Sequence, residues 1–163
     1  MSISAPAVGK TAPVLDLPAT NNTNLNTTSL NGSNFILYFY PKDNTSGCTL
    51  EGQNFRDLHS EFRAANTHIY GISRDSITMH ADFRAAQAFP FDLLSDENEA
   101  ACKAYDVIQL KNKNGEQVLG IERSTFLIDK DGVLQSEWRK VSVAGHAKEV
   151  LKAAQALNNS QSH

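Results

Sequence analysis

An uninterrupted apolar run at residues 35–40, Phe-Ile-Leu-Tyr-Phe-Tyr, is the feature that most constrains the fold of this chain. It is rich in aromatic residues, Gly32-Ser33-Asn34 precedes it and Pro41 follows it. Proline has no N–H to donate to a strand ladder, so a strand has to end there. Such a run, bounded by turn residues, predicts a buried strand at the centre of a sheet.

Cys48 follows this strand at the start of a predicted helix. Residues 45–47 (Thr-Ser-Gly) supply turn and N-cap chemistry, and apolar residues recur at helical spacing as far as Phe62, which predicts a helix over residues 47–65. The unsatisfied N–H groups of a first helical turn carry partial positive charge, which favours a thiolate over a thiol. Cys48 is therefore a candidate nucleophile at neutral pH.

The next elements alternate between strand and helix. A short edge strand is expected at residues 14–17, and residues 67–73 read as a second central strand, parallel to the first. A helix follows to about Ala88, with Met79, Phe83 and Ala86 on one face. Asp96 is expected to cap another helix.

The last third of the chain carries a hairpin signal and an amphipathic helix. Residues 107–122 look like a loop with an exposed turn, whereas residues 124–138 predict a hairpin across Lys130-Asp131-Gly132. A helix from about Gly145 presents an apolar stripe. The order of elements predicts an α/β, thioredoxin-like fold, with a central mixed β-sheet flanked by helices on both faces.

Length and composition favour one domain. At 163 residues, of which 40% are apolar, the chain can bury a proper core. We expect residues 1–163 to form a single domain, with a short lead-in at residues 1–13 and a frayed tail at residues 158–163.

Several functional classes are disfavoured. The 15 Lys and Arg residues are interspersed with 18 Asp and Glu residues, so no basic stripe suggests nucleic acid as a partner. No apolar run approaches the ~20 residues of a membrane span, and no signal peptide is visible, which predicts a cytoplasmic protein. The five histidines are scattered and the two cysteines form no Cys-x-x-Cys, so we expect neither a metal nor a cofactor.

A reactive Cys48 needs more than its helix. An ordinary cysteine, with a pKa of about 8.5, is roughly 3% thiolate at about pH 7, and moving such a pKa to about 6 takes about 3.4 kcal/mol. A helix terminus supplies about 0.3–2 kcal/mol, whereas a guanidinium near 4 Å offers on the order of 4 kcal/mol at an effective dielectric constant of 20. Arg56 and Arg63 lie too far along the predicted helix. Arg123, at the start of a predicted strand, is the candidate partner of Cys48. The alternative interpretation is that Arg123 is an ordinary surface arginine at the end of a strand.

The sequence around Cys48 resembles the Pro-x-x-x-Thr-x-x-Cys signature of the peroxiredoxins, with Pro41 and Thr45 at the matching positions. More narrowly, it is similar to the bacterioferritin comigratory protein group, also called the PrxQ type. Further matching segments lie at residues 71–76, 94–96, 122–129 and 138–141. The resemblance extends from about residue 9 to residue 157 and implies a thiol peroxidase with a thioredoxin-like fold.

The resemblance implies a role for each matching residue. Cys48 is implied to attack the peroxide O–O bond and become a sulfenic acid. Thr45 is implied to hydrogen-bond the peroxide and the thiolate, and Pro41 to shield the sulfur from water. Arg123 is implied to stabilise the thiolate and orient the substrate, with Glu51 fixing its guanidinium. The structural alternatives are a capping threonine, a strand-ending proline and a surface glutamate.

The expected substrates are hydrogen peroxide and small organic hydroperoxides, and the way in which Cys48 is reduced is less evident. Some PrxQ proteins carry a resolving cysteine five residues after the peroxidatic one, where this chain has Gln53, and others carry it in a helix that corresponds to residues 76–86, which hold no cysteine. Cys102 is expected on an inward helix face, where cysteines behave as small hydrophobes.

We therefore expect a one-cysteine cycle in a monomer, with thioredoxin, or glutaredoxin and glutathione, as the external thiol. The alternative within the same activity is Cys102 as an intramolecular resolving cysteine. Two other classes are a thiol-disulfide oxidoreductase, which the missing Cys-x-x-Cys disfavours, and a redox-sensing interaction protein.

Overall fold

A seven-stranded mixed sheet is the centre of the computed structural model, which describes residues 6–161. The strands in this part of the chain are β1 (Asp16–Ala19), β2 (Thr23–Asn26), β3 (Asn34–Phe39), β4 (Thr67–Ser73), β5 (Leu93–Ser95), β6 (Ile108–Lys113), β7 (Glu116–Ile121), β8 (Ser124–Ile128) and β9 (Leu134–Trp138). The helices are α1 (Ser46–Asp57), α2 (His59–Ala64), α3 (Ile77–Gln87), α4 (Ala100–Ala104) and α5 (His146–Ser160). The sheet order is β2-β1-β5-β4-β3-β8-β9, and β3, β4 and β5 are mutually parallel. The predicted α/β, thioredoxin-like architecture is confirmed.

Strand β3 is the predicted central strand, and every one of its residues is buried. Its side chains alternate between two cores: Phe35, Leu37 and Phe39 join one, and Ile36 and Tyr38 join the other. Helices α1, α2, α3 and α5 contribute to the second core, whereas α4 contributes to the first. Helices therefore cover both faces of the sheet, as predicted.

The register of β3 with β8 assembles the two halves of the candidate site. The chain leaves β3 at Phe39 and continues through Pro41 to α1, which carries Cys48. Strand β8 runs antiparallel to β3, and its first residue, Ser124, lies opposite Phe39. Arg123 immediately precedes β8, so the sheet brings it to the same edge as Cys48.

The prediction of a loop at residues 107–122 is wrong, because β6 and β7 form a separate two-stranded hairpin there. Its two-residue turn is Asn114-Gly115, and both residues have positive φ (53° and 83°), as the turns favoured in tight hairpins require. The exposed turn itself was predicted, but it is narrower than expected. Only the base of the hairpin, including the paired residues Ile108 and Ile121, packs on the core.

Two predicted helices differ in extent. The helix expected over residues 47–65 is interrupted at Leu58, which ends α1 and precedes α2. The helix expected to begin at Asp96 starts at Ala100 and has only five residues, although the Asp96 carboxylate does accept hydrogen bonds from its N–H groups.

Two further predictions were wrong, one about the face of a helix and one about the position of a strand in the sheet. Helix α3 buries His80 and Phe83 and leaves Met79 and Ala86 exposed. The edge strand expected at residues 14–17 forms two residues later, as β1, and it is not at the edge, because it pairs with β2 on one side and with β5 on the other.

The C-terminal tail is ordered further than predicted. Helix α5 continues to Ser160, and the side-chain amides of Gln161 and the buried Asn34 exchange two hydrogen bonds of 2.9 Å. This pair fixes the end of α5 to the start of β3. The last two residues of the predicted tail, and residues 1–5 of the predicted lead-in, lie outside the described residues. Within the described range, no helix is long and apolar enough to cross a membrane.

Candidate active site

Cys48 is the third residue of α1 and keeps only 1% of its surface exposed. Thr45 is the N-cap residue, with extended backbone angles. Because the first N–H groups of a helix have no partner within it, their partial positive charge is directed towards this turn. Cys48 therefore lies in the first turn of a helix, where the sequence predicted it.

Arg123 connects Cys48 to Glu51. Its Nη2 donates a hydrogen bond of 3.4 Å to Cys48 Sγ, and its Nη1 donates one of 2.6 Å to Glu51 Oε1. Glu51 follows Cys48 by three residues, so the two side chains lie on one face of α1. A hydrogen bond from a guanidinium to sulfur favours the ionised thiolate.

Gly47 makes room for this contact. A β-carbon at Gly47 would lie 3.2 Å from Arg123 Nη2, closer than a relaxed contact allows. A side chain at residue 47 would therefore require the guanidinium to shift by a few tenths of an ångström. The sequence predicted a turn role for Gly47, and its packing against Arg123 is visible only in the folded chain.

Glu51 is a buried carboxylate within the site. Its side chain is 1% exposed, and its Oε2 is the one buried side-chain oxygen or nitrogen between residues 6 and 161 that has no hydrogen-bond partner. Burial raises the pKa of Glu51 to about 7, although the charge of Arg123 acts in the opposite direction. Glu51 is thus buried rather than on the surface.

Thr45 and Pro41 lie in the loop that leads to Cys48, but the structure does not bring the Thr45 hydroxyl to the sulfur. Thr45 is exposed, and its Oγ1 donates a hydrogen bond of 2.8 Å to the Lys42 carbonyl oxygen. Its side chain makes no capping hydrogen bond either. Pro41 is half-buried, two residues beyond the end of β3.

Three further ionisable side chains surround the site. Burial, with a smaller effect of Arg123, lowers the pKa of His146 to about 4, and the His146 ring contacts Thr125 Oγ1 at 2.8 Å. Burial raises the pKa of Tyr38, and the charges of Glu51 and Cys48 raise it further. Burial also lowers the pKa of Lys111 on β6, and the charge of Arg123 lowers it further.

Cys102 lies in a different environment. It is fully buried, and its backbone N–H donates a hydrogen bond of 2.7 Å to Asp96 Oδ2. Burial raises the pKa of the Cys102 thiol well above its ordinary value, and the hydrogen bond and charge of Asp96 raise it further. Cys102 therefore lies on the inward face of its helix, as predicted. At the first of the two resolving positions named above, the side chain of Gln53 donates a hydrogen bond of 2.9 Å to Gln87 of α3.

A buried network that the sequence analysis missed ties the loop before Cys48 to α3. Asp43 accepts a hydrogen bond of 2.6 Å from the Tyr40 hydroxyl and pairs with His80 Nδ1 at 2.7 Å, while its N–H donates to Asp75. Asp43, Asp75 and His80 offer ligand atoms within 4.8 Å of one another. Hydrogen bonds already engage these atoms, including His80 Nε2 with the Leu94 carbonyl, so we interpret the group as a structural clamp. The helical spacing of Ile77, His80 and Phe83 was the available signal.

Comparisons with known proteins show the family to which this chain belongs. The profile of the AhpC/TSA family matches residues 8–137. Peroxiredoxin Bcp of Xanthomonas campestris pv. campestris is 50% identical over 147 residues, which cover 89% of this chain and 92% of that protein.

Two solved structures extend the comparison to the fold. One shows the Xanthomonas campestris bacterioferritin comigratory protein, described in connection with its alkyl peroxide reduction activity; it has a TM-score of 0.85, 49% identity and coverage of 88% of this chain and 92% of that one. The other, a mutant of Xylella fastidiosa PrxQ, has a TM-score of 0.88, 41% identity and coverage of 94% and 98%. This chain therefore belongs to the AhpC/TSA family and is a peroxiredoxin of the bacterioferritin comigratory protein (PrxQ) type, an enzyme that reduces hydroperoxides at the expense of a thiol reductant.

Proposed function

We propose that Cys48 is the peroxidatic cysteine of this enzyme and that its substrates are hydrogen peroxide and small alkyl hydroperoxides. The observation that carries the proposal is the 3.4 Å contact between Arg123 Nη2 and Cys48 Sγ in the first turn of α1. The sulfur receives a charged hydrogen bond and the field of a helix terminus together, and their combined effect exceeds that of the helix alone.

In the proposed reaction, the Cys48 thiolate attacks one peroxide oxygen. The S–O bond forms as the O–O bond breaks, so that the sulfur becomes a sulfenic acid and the other oxygen leaves as hydroxide or alkoxide. Arg123 stabilises the thiolate before the attack and the negative charge on the oxygens during it. Pro41 limits the access of water to the sulfur.

We propose a narrower role for Thr45 than the family resemblance implies. Because its hydroxyl proton is committed to the Lys42 carbonyl, Oγ1 offers lone pairs and no donor. Such an oxygen accepts a hydrogen bond from the O–H of a bound peroxide. Thr45 thereby orients the substrate, while Arg123 alone donates to the sulfur.

Reduction of the sulfenic acid is proposed to use an external thiol in a one-cysteine cycle. Cys102 is a poor partner because burial and Asp96 keep it protonated, and the reactive form in thiol chemistry is the thiolate. Cys48 itself is 1% exposed, which admits a small peroxide more easily than a protein thiol. The first turn of α1 must therefore move outward before thioredoxin, or glutaredoxin and glutathione, can reduce it. A monomeric, single-domain, cytoplasmic enzyme stays our prediction.

Two measurements test the proposal. Treatment with one equivalent of hydrogen peroxide, followed by intact-mass and peptide analysis, should give a sulfenic acid on Cys48 that dimedone traps; a quantitative Cys48–Cys102 disulfide would refute the one-cysteine cycle. Steady-state peroxide consumption with thioredoxin, with glutaredoxin and glutathione, and with dithiothreitol then identifies the reductant. Unchanged consumption in Cys102→Ser is expected for whichever reductant is active.

A further inference from the structure

Asp43, in the loop that leads to Cys48, is held by both its main chain and its side chain. Its N–H donates a hydrogen bond of 2.8 Å to Asp75 Oδ2. Its carboxylate accepts one of 2.6 Å from the Tyr40 hydroxyl and contacts His80 Nδ1 at 2.7 Å. Only 2% of Asp43 is exposed. These contacts fix both the place of Asp43 and the direction of its N–H.

One peptide unit transmits this direction to Thr45. The Asp43 N–H and the Lys42 carbonyl belong to the same peptide unit, which is planar and trans. The two groups therefore point in opposite directions. The N–H points to Asp75, and the carbonyl oxygen accepts the hydrogen bond of 2.8 Å from the Thr45 hydroxyl. A peptide unit rotated away from Asp75 would also turn its carbonyl away from Thr45.

The Thr45 side chain has little else to orient it. Thr45 is exposed and makes no capping hydrogen bond, and the Lys42 carbonyl is the one hydrogen-bond partner of its hydroxyl within residues 6–161. An exposed side chain without such a partner exchanges rapidly between staggered rotamers. The lone pairs of Thr45 Oγ1 therefore keep one direction only while the Lys42 carbonyl keeps its own.

Asp75 is a rigid support because the ends of two parallel strands hold it. Ser73, the last residue of β4, donates a hydrogen bond of 2.6 Å to Asp75 Oδ2 and accepts one of 3.2 Å from the Asp75 N–H. Ser95, the last residue of β5, donates one of 2.6 Å to the Asp75 carbonyl oxygen. The hydrogen bonds of Cys48 and Arg123 do not involve Asp75. Its route to the site is therefore the loop.

We propose that Asp75 is a positioning residue for the peroxidase reaction: it holds the peptide unit between Lys42 and Asp43 and thereby directs Thr45 Oγ1 towards the O–H of the bound hydroperoxide. The inference rests on the proposed functions of Cys48 and Thr45. Asp75 transfers no proton and no electrons. Its contribution is to align the peroxide oxygen that the sulfur attacks, and such alignment is sensitive to small displacements.

A double-mutant cycle tests the coupling between Asp75 and Thr45. Stopped-flow kinetics give the rate of Cys48 oxidation by hydrogen peroxide. Thr45→Val removes the acceptor and should slow oxidation about tenfold or more. Asp75→Ala should slow it about threefold to tenfold when Thr45 is present, but less than about twofold in Thr45→Val, where no hydroxyl remains to be oriented. Asp82→Ala, at an exposed site of α3, is the matched control and should leave the rate unchanged in both backgrounds.

A reaction of Cys48 that involves no peroxide O–H separates positioning from damage to the fold. Iodoacetamide should alkylate Cys48 in Asp75→Ala at a rate within about twofold of the wild type. If Asp75→Ala does not fold, Ser73→Ala serves in the same cycle, because it removes the hydroxyl that donates to Asp75 Oδ2. It should slow oxidation about twofold to fivefold, again only while Thr45 is present.

Equal slowing in the two backgrounds, an unchanged rate in Asp75→Ala, or equal losses in oxidation and alkylation would each overturn the inference while leaving Cys48 as the peroxidatic residue. A Thr45→Val protein as fast as the wild type would refute the role of Thr45 and the inference with it. A wild type whose Cys48 does not react with peroxide would instead refute the proposed function.

Discussion

Cys48 and Cys102 occupy equivalent positions in different surroundings. Each is the third residue of a helix, in α1 and α4 respectively, and each is buried. Cys48 Sγ accepts a hydrogen bond from the Arg123 guanidinium, whereas at the start of α4 the N–H groups of Ala101 and Cys102 donate to the Asp96 carboxylate. Position in a helix therefore does not distinguish the two cysteines.

The difference lies in the charged side chain that reaches each cysteine. A carboxylate at a helix N-terminus stabilises the helix, because it satisfies free N–H groups and opposes the helix dipole. At Cys102, burial is the main cause that disfavours a thiolate, and the same carboxylate disfavours it further. At Cys48 the sheet instead delivers a cation from 75 residues away.

The largest expected effect separates the two cysteines directly. Cys48→Ser should reduce the second-order rate of peroxide consumption by about 10³-fold or more, because the nucleophile is removed. Cys102→Ser should change that rate by less than about twofold, because Cys102 lies outside the reaction. Stopped-flow peroxide assays measure both. Comparable losses in the two variants would contradict the contrast.

Removal of the cation should have the next largest effect. Arg123→Met is expected to lower the rate of Cys48 oxidation by about 10²–10³-fold, the size expected for loss of a charged donor in a buried site. Arg56→Met, at the other end of α1, serves as the matched control and should retain nearly full activity. An Arg123→Met protein as fast as the control would show that the helix alone activates Cys48.

Glu51 should make stability depend on pH. Its pKa in the folded state is raised, so its favourable contribution is complete below its unfolded pKa and is lost as the pH rises through about 7. Between about pH 5 and about pH 8, the free energy of unfolding of the wild type should fall by about 2–3 kcal/mol more than that of Glu51→Gln. Urea titrations at several pH values measure this difference. Parallel pH curves for the two proteins would mean that Glu51 is ionised throughout.

Asp96 provides the converse test. Asp96→Asn should lower the pKa of the Cys102 thiol in a Cys48→Ser background, because the hydrogen bond and charge of Asp96 are, after burial, the causes that raise it. The pH dependence of the thiolate's ultraviolet absorbance reports this change. A Cys102 that ionises near neutral pH after this single substitution would show that Asp96, and not burial, keeps it inert.

The smallest expected effect is at Gly47. Gly47→Ala should slow Cys48 oxidation about threefold to tenfold, because the new methyl group would lie 3.2 Å from Arg123 Nη2 and displace it. The melting temperature should hold or rise slightly, since alanine favours the helix. Unchanged kinetics would mean that Arg123 can shift without loss of its contact to sulfur.

The sequence revealed the centre of the site better than its surroundings. The apolar run of β3 and the turn before Cys48 are local signals, and the energy needed to ionise a cysteine pointed to a distant arginine. The burial of Glu51 and its unpaired oxygen depend on tertiary packing, which no local pattern reports. The β6–β7 hairpin was missed because most of its residues are exposed on both faces, so its strands lack apolar alternation; the Asn114-Gly115 pair was the readable signal.

We expect the hydrogen bond from Arg123 to favour the reaction of Cys48, whereas burial and Asp96 raise the pKa of the Cys102 thiol. The thiolate absorbance of the wild type, Cys48→Ser and Cys102→Ser, recorded from about pH 4 to about pH 9, tests this difference most directly. We predict one thiolate per chain near neutral pH in the wild type and in Cys102→Ser, and none in Cys48→Ser. A thiolate signal that survives in Cys48→Ser, or is absent from the wild type, would refute this difference between the two cysteines.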